Sequence, residues 1–159
     1  MEQSFTKTEY LKLTRFCGEE LYPIKTADWY FYKNEDTNAN ELWLEISTNE
    51  GHQLSEDTQY LNGRPHWELT FQLDDLNIND LTSGLKLEII ESYNETLEDN
   101  VTNFYYCEHE ATDNNHFEII DKKDNRLLIR LTGEVTDINY YDGSKPKNKI
   151  FVETWFEKK

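Results

Sequence analysis

Residues 126–157 decide the fold, and they read RLLIRLTGEVTDINYYDGSKPKNKIFVETWFE. From Leu127 to Val135 every second residue is apolar or small, which is the period-two pattern of a half-buried strand. The same alternation returns from Ile150 to Phe156, after a connector that contains Gly, Ser and Pro. Two alternating segments joined by a turn-forming connector predict a long antiparallel hairpin.

Strand-like alternation recurs along the rest of the chain. It is clearest over residues 42–46, 67–73 and 85–89, and the aromatic run at 29–32 also favours extended structure. Because no segment shows a convincing helical period, we expect residues 1–159 to form a single all-β domain, an antiparallel β-sandwich of about nine or ten strands. A closed up-and-down β-barrel is the alternative that the same pattern allows.

Three local features predict interruptions of this pattern. Gly18 and Pro23 predict a break after an opening strand. The apolar phase slips between Val135 and the residues that follow Asp137, which predicts a β-bulge there. Residues 51–64 show no periodicity and predict a long loop.

The chain is strongly acidic, and its charge is unevenly placed. The net charge is −16, and residues 34–100 hold 16 Asp or Glu against Arg64 and Lys86, a net of −14. Residues 121–159 hold 7 acids and 9 bases, a net of +2. A field of this sign repels phosphates and anionic lipid, so we expect a basic protein partner and neither nucleic acid nor membrane.

The cysteines and the opening residues bear on the compartment. Cys17 and Cys107 lie 90 residues apart, and we interpret them as free thiols in a reducing environment. Met1–Lys7 lacks the basic and apolar regions of a signal peptide, and no apolar run has the length of a membrane span. We therefore expect a cytoplasmic location.

Several aromatic residues fall on the parity opposite to the clearest aliphatic rows. We expect these residues to form a second core layer if both sheet faces are covered, and this is the favoured interpretation. If one face is open, they form an aromatic platform for a partner or ligand. The residues are Tyr30, Tyr32, Trp43, Phe151 and Trp155.

Carboxylates supply the charged part of a candidate binding surface. Glu45 and Glu68 have outward parity on neighbouring predicted strands, so they can face each other as the two carboxyls of a glycosidase do. With 32 acids in the chain, solubilising charge is the favoured interpretation of such a pair. Asp74 and Asp75, which follow the strand of Glu68, extend the acidic surface.

Other chemistry finds little support in the sequence. Cys107, His109 and His116 offer metal-ligating atoms near a predicted hairpin, but zinc sites usually show tighter paired spacing, so an exposed hairpin end is favoured. The sequence contains no Gly-x-Ser-x-Gly, phosphate-binding loop or dinucleotide fingerprint. We therefore assign no catalytic residue, metal or cofactor, and expect that the chain is not an enzyme.

These observations favour a non-enzymatic protein-binding or inhibitory module, similar in kind to an immunity protein, with an acidic surface for a basic partner. The alternative is a small-molecule carrier in which the strands close around an aromatic-lined cavity. An acidic surface supports the first hypothesis, and the abundance of aromatic residues suits both.

Overall fold

The computed structural model describes residues 9–53 and 60–159. These residues form strands and one 3₁₀ turn, Ile78–Asp80, with no α-helix among them. The strands are β1 Tyr10–Arg15, β2 Gly18–Lys33, β3 Asn40–Thr48, β4 His52–Gln53, β5 His66–Leu73, β6 Lys86–Ile89, β7 Tyr93–Asn94, β8 Asp99–Asn100, β9 Thr102–Tyr106, β10 Glu108–Glu110, β11 Asp113–Lys123, β12 Arg126–Val135 and β13 Asn148–Lys158. Over the same residues, no helix has the length and hydrophobicity needed to cross a membrane.

The main sheet pairs its strands in the order β10-β9-β5-β3-β2-β1-β13-β12-β11-β6, with β4 paired to β2, while β7 and β8 pair with each other. Nearly every pairing is antiparallel, and the exception is the short parallel pairing of β13 with β2. The long strand β2 belongs to two sheets, because its first part pairs with β1 and its second part pairs with β3. We define sheet A as strands β1, β13, β12, β11 and β6 together with the start of β2. Sheet B is formed by the rest of β2 with β3, β5, β9 and β10.

The two sheets pack face to face around one apolar core. Phe71 of sheet B lies 5.3 Å from Phe117 of sheet A, measured between ring centroids. Over the described residues the terminal strands β6 and β10 do not pair with each other, so the sheet stays open. The predicted all-β antiparallel class is therefore confirmed, and the architecture agrees with a sandwich, whereas the alternative of a closed barrel is wrong.

The hairpin predicted from residues 126–157 is confirmed. Strands β12 and β13 pair in continuous register from Leu127 opposite Phe156 to Val135 opposite Asn148. Alternate residues of both strands are buried, as the period-two pattern requires.

The predicted opening strand is β1, and the chain turns directly after it at residues 16–17. The placement of the break at Gly18 and Pro23 is wrong, because both lie within β2. Pro23, which lacks an N–H, precedes the register shift between Ile24 and Thr26, where β2 exchanges β1 for β3. The predicted bulge is also wrong. No bulge forms at Asp137, because β12 ends at Val135 and the chain turns Asp137 into the interior. The loop predicted at 51–64 contains β4, and its residues 54–59 lie outside the described part of the chain.

Candidate functional site

The outward-facing side chains of β2, β3 and β5 form one continuous surface on sheet B. Leu44, Ile46 and Leu69 of these strands are fully buried in the core, so the residues between them point away from it. We call this surface the acidic-aromatic face and define it by Asp28, Tyr30, Tyr32, Trp43, Glu45, His66 and Glu68.

Aromatic side chains occupy one half of the acidic-aromatic face. Tyr30 and Tyr32 stack with their centroids 5.6 Å apart, and Tyr30 pairs with Trp43 across the β2–β3 ladder. The Nζ atom of Lys159 lies 5.1 Å from the centre of the Trp43 ring. Tyr30 is 45% exposed, and none of the three belongs to the buried core. The favoured interpretation of these residues as a second core layer is therefore wrong, and they form part of an open face.

The other sequence-predicted binding residues lie elsewhere. Trp155 and Phe151 point outward from β13 in sheet A, where the Arg126 guanidinium lies 5.1 Å from the Trp155 ring. Asp74 and Asp75 are exposed beyond the end of β5. The structure thus brings together Tyr30, Tyr32, Trp43, Glu45 and Glu68 on sheet B. Trp155 faces outward from β13, whose end reaches β2 where Glu157 pairs with Asp28.

Carboxylates and an imidazole occupy the other half of the face. Glu45 lies directly opposite Glu68 in the β3–β5 ladder, as their outward parity predicted, and His66 precedes Glu68 by two residues on the same side. His66 Nε2 lies 3.2 Å from Glu68 Oε1 and 3.9 Å from Glu45 Oε2. Partial burial raises the pKa of Glu45, and the Glu68 carboxylate adds to this rise, while His66 and Lys159 oppose it.

The opposed carboxylates lead to a stability prediction for Glu45→Gln. Like charges directly across a ladder destabilise it, so this variant should be more stable at neutral pH, by a few tenths to about 1 kcal/mol. A raised pKa means that the folded state binds the proton more tightly, so the wild type gains stability as the pH falls through the pKa of Glu45. The advantage of the variant should therefore shrink in acid.

Urea unfolding at several pH values measures this effect. The exposed Glu91→Gln is a matched control, which should leave the unfolding free energy unchanged within about 0.5 kcal/mol. A Glu45→Gln protein less stable than the wild type at neutral pH would contradict the assigned repulsion.

The cysteine and histidine cluster considered from the sequence does not assemble. Cys107 lies at the reversal between β9 and β10, His109 packs on Tyr105, and His116 of β11 lies 3.7 Å from Glu88. Neither Cys17 nor Cys107 forms a disulfide bond. Within the described residues, the group that brings three metal-ligating atoms within 4.8 Å of one another is Glu45, His66 and Glu68.

The structure also contains a buried ionic network that we did not predict. Arg15 Nε donates to Asp137 Oδ2 at 2.8 Å, and Arg15 Nη1 donates to Glu20 Oε2 at 3.1 Å. The hydroxyls of Tyr22 and Tyr106 donate to Glu20. Burial raises the pKa of both tyrosines, and their hydrogen bonds to Glu20 raise it further. The tyrosines therefore stay protonated as donors, and the network joins β1, β2, β9 and the loop after β12.

A sequence signal for this network existed. Arg15 continues the inward parity of Leu11 and Leu13 along β1, and Glu20 shares an inward parity with Tyr22 on β2. Charged residues on the buried parity of a strand indicate a buried ion pair, because an unpaired charge there would be strongly destabilising.

Two open clefts lie on the outer face of sheet A. They have volumes of about 460 and 340 Å³ and share His116 and Thr132. Their walls carry charges of both signs, including Lys86, Glu118 and Arg130. They therefore differ from the aromatic interior cavity that a carrier would need.

Comparisons of this chain with protein-family models, curated proteins and solved structures found no match.

Proposed function

We propose that this chain is a non-enzymatic protein-binding module, inhibitory in the manner of an immunity protein, whose acidic-aromatic face binds a basic surface of another protein. The observation that supports this most is the juxtaposition of Tyr30 and Trp43 with Glu45 and Glu68 on one open sheet face. Aromatic side chains are the commonest anchors of protein interfaces. Carboxylates beside them give charge complementarity to a basic partner.

The balance of charge on this face supports the same proposal. Asp28, Glu45 and Glu68 lie side by side on three adjacent strands. Lys159, whose Nζ lies over the Trp43 ring, interacts with the Glu45 carboxylate as a cation. The chain as a whole has a net charge of −16. Such a field accelerates association with a basic protein and disfavours acidic competitors.

The test is a pull-down from the native cell extract at low salt, followed by affinity measurements over a salt series. We expect a basic partner that is retained at low salt and released as salt rises, because ions screen exposed charges. Tyr30→Ala should weaken binding about 30-fold or more, as expected for an interface anchor worth about 2 kcal/mol. Glu68→Gln should weaken binding less and should flatten the salt dependence.

Matched variants on sheet A are the controls. Phe151 is 37% exposed, close to the 45% of Tyr30, and Glu88 is an exposed carboxylate of β6. Phe151→Ala and Glu88→Gln should therefore leave the affinity unchanged. A partner whose affinity does not depend on salt, or one that the sheet A variants weaken as much as the sheet B variants do, would contradict the proposal.

The carrier hypothesis gains no comparable support. Trp67, Phe71, Phe104 and Phe117 fill the space between the sheets. The two larger clefts described above open on the outside of sheet A and are lined by mixed charges.

A further inference from the structure

We infer that Glu45, His66 and Glu68 form a binding site for a divalent transition-metal ion of the zinc class. The first reason is convergence: one ligand atom from each of the three side chains lies within 4.8 Å of the others. Two carboxylates and one imidazole are a donor set that suits zinc, and the imidazole disfavours Ca²⁺ and Mg²⁺, which prefer oxygen ligands.

The distances are close to those that a bound ion requires. With metal–ligand bonds of about 2.0–2.1 Å, two ligand atoms of a tetrahedral site lie roughly 3.3 Å apart. His66 Nε2 lies 3.2 Å from Glu68 Oε1 and 3.9 Å from Glu45 Oε2. Small rotations of the glutamate side chains are therefore enough to close the site around an ion.

The backbone holds these ligands on a rigid support. β3 and β5 are inner strands of sheet B, flanked by β2 on one side and β9 on the other. The pairs Glu45–Glu68 and Ser47–His66 belong to one continuous ladder and are separated by the single pair Ile46–Trp67, so both face the same side of the sheet. The backbone positions of the three ligands are therefore set before the ion binds, and only their side chains need to reorient, which favours affinity.

The electrostatics of the cluster favour a cation. Glu45 and Glu68 oppose each other directly, and Asp28 lies beside Glu45 on β2. An ion of charge +2 between Glu45 and Glu68 would replace their mutual repulsion by attraction to a common centre. Partial burial of Glu45 strengthens that attraction, because screening by solvent is reduced.

The site is open on one side. The side chains of Glu45, His66 and Glu68 are 21%, 35% and 41% exposed, so solvent reaches the position that the ion would occupy. Three protein ligands therefore leave a fourth coordination position for water.

Titration of the purified full chain with Zn²⁺ tests the inference. Isothermal calorimetry and competition with a chromogenic chelator should show one equivalent bound, and Zn²⁺ should raise the unfolding temperature of the wild type. His66→Gln should weaken binding by at least about 10- to 100-fold, since even the loss of a group that only orients a ligand costs this much.

His116→Gln is the matched control, because His116 also lies beside a glutamate, Glu88, but without a third ligand in this group. It should bind Zn²⁺ as the wild type does. Unfolding in urea without metal should show that both variants remain folded. The assignment would be overturned if His116→Gln weakened Zn²⁺ binding as much as His66→Gln does. A stoichiometry well below one Zn²⁺ per chain would overturn it as well.

This inference goes beyond the proposed function and can fail independently of it. The metal titration contains only the protein and Zn²⁺. A negative result would therefore overturn the metal site but would not affect the proposal that a basic partner binds. If both proposals hold, Zn²⁺ should weaken binding of a basic partner, because the ion neutralises two carboxylates of the same face. The salt series repeated with Zn²⁺ and with EDTA measures this competition.

Discussion

Asp137→Ala is expected to destabilise the fold by about 3–5 kcal/mol, the usual result of removing one partner from a buried ion pair. Arg15 contacts Asp137 through both Nε and Nη2, at 2.8 and 3.2 Å. The side chains of both residues are almost fully buried. Without the Asp137 carboxylate, the Arg15 guanidinium still donates to Glu20 but loses its bidentate ion pair, and solvent cannot replace it there. Urea or thermal unfolding measures the loss.

The exposed pair Arg126–Glu157 supplies the control for this prediction. Its N···O distance is also 2.8 Å, but both side chains are about half exposed. Glu157→Ala should therefore cost no more than about 1 kcal/mol. Equal losses for Glu157→Ala and Asp137→Ala would show that burial of the Arg15 network contributes nothing beyond a surface ion pair.

The same contacts determine the acid sensitivity of the fold. Burial alone would raise the pKa of Asp137, but hydrogen bonds from Arg15, from the Asn139 backbone and from Asn148 outweigh it and lower the pKa below its ordinary value. A lowered pKa of an acid in the folded state stabilises the protein at neutral pH, and this contribution is lost as the pH falls below roughly 4. Asp137→Ala removes it at all pH values.

The sequence predicted the elements whose side chains alternate over many residues. The β12–β13 hairpin and strands β3 and β5 follow from this alternation because the core accepts one face of each strand. The pattern could not predict that β2 spans two sheets. Gly18 and Pro23 suggested a break, but the tertiary pairing of β2 with β1 and then with β3 overrides this local preference.

The candidate site was predicted in part. Outward parity identified Glu45 and Glu68 as neighbours, because adjacent antiparallel strands place such residues side by side. The contribution of His66 was missed, since its relation to Glu45 depends on the register between β3 and β5, which the sequence does not specify. Trp155 was assigned to the same surface, although parity alone cannot tell the outer face of sheet A from that of sheet B.

Trp67→Ala is expected to cost about 3–5 kcal/mol, the range found when a buried tryptophan or phenylalanine is truncated. Trp67 is fully buried, and its ring meets Phe104 edge to face at a centroid distance of 6.2 Å. It also bridges the sheets, because a Cβ atom added at Gly133 of β12 would lie only 2.8 Å from Trp67 Cζ2. Gly133 thus provides the space that the indole occupies, and removal of the indole leaves a cavity between sheets A and B.

Two further variants separate the contributions of Trp67. Trp67 Nε1 donates to Thr112 Oγ1 at 3.2 Å. Trp67→Phe removes this hydrogen bond but keeps much of the ring volume. The loss of unfolding free energy should therefore lie between zero and the loss caused by Trp67→Ala. Tyr30→Ala, on the open face of the same sheet, should cost about 1 kcal/mol or less. Unfolding in urea ranks the three variants. A Trp67→Ala protein as stable as Tyr30→Ala would mean that the two sheets do not depend on this residue for their packing.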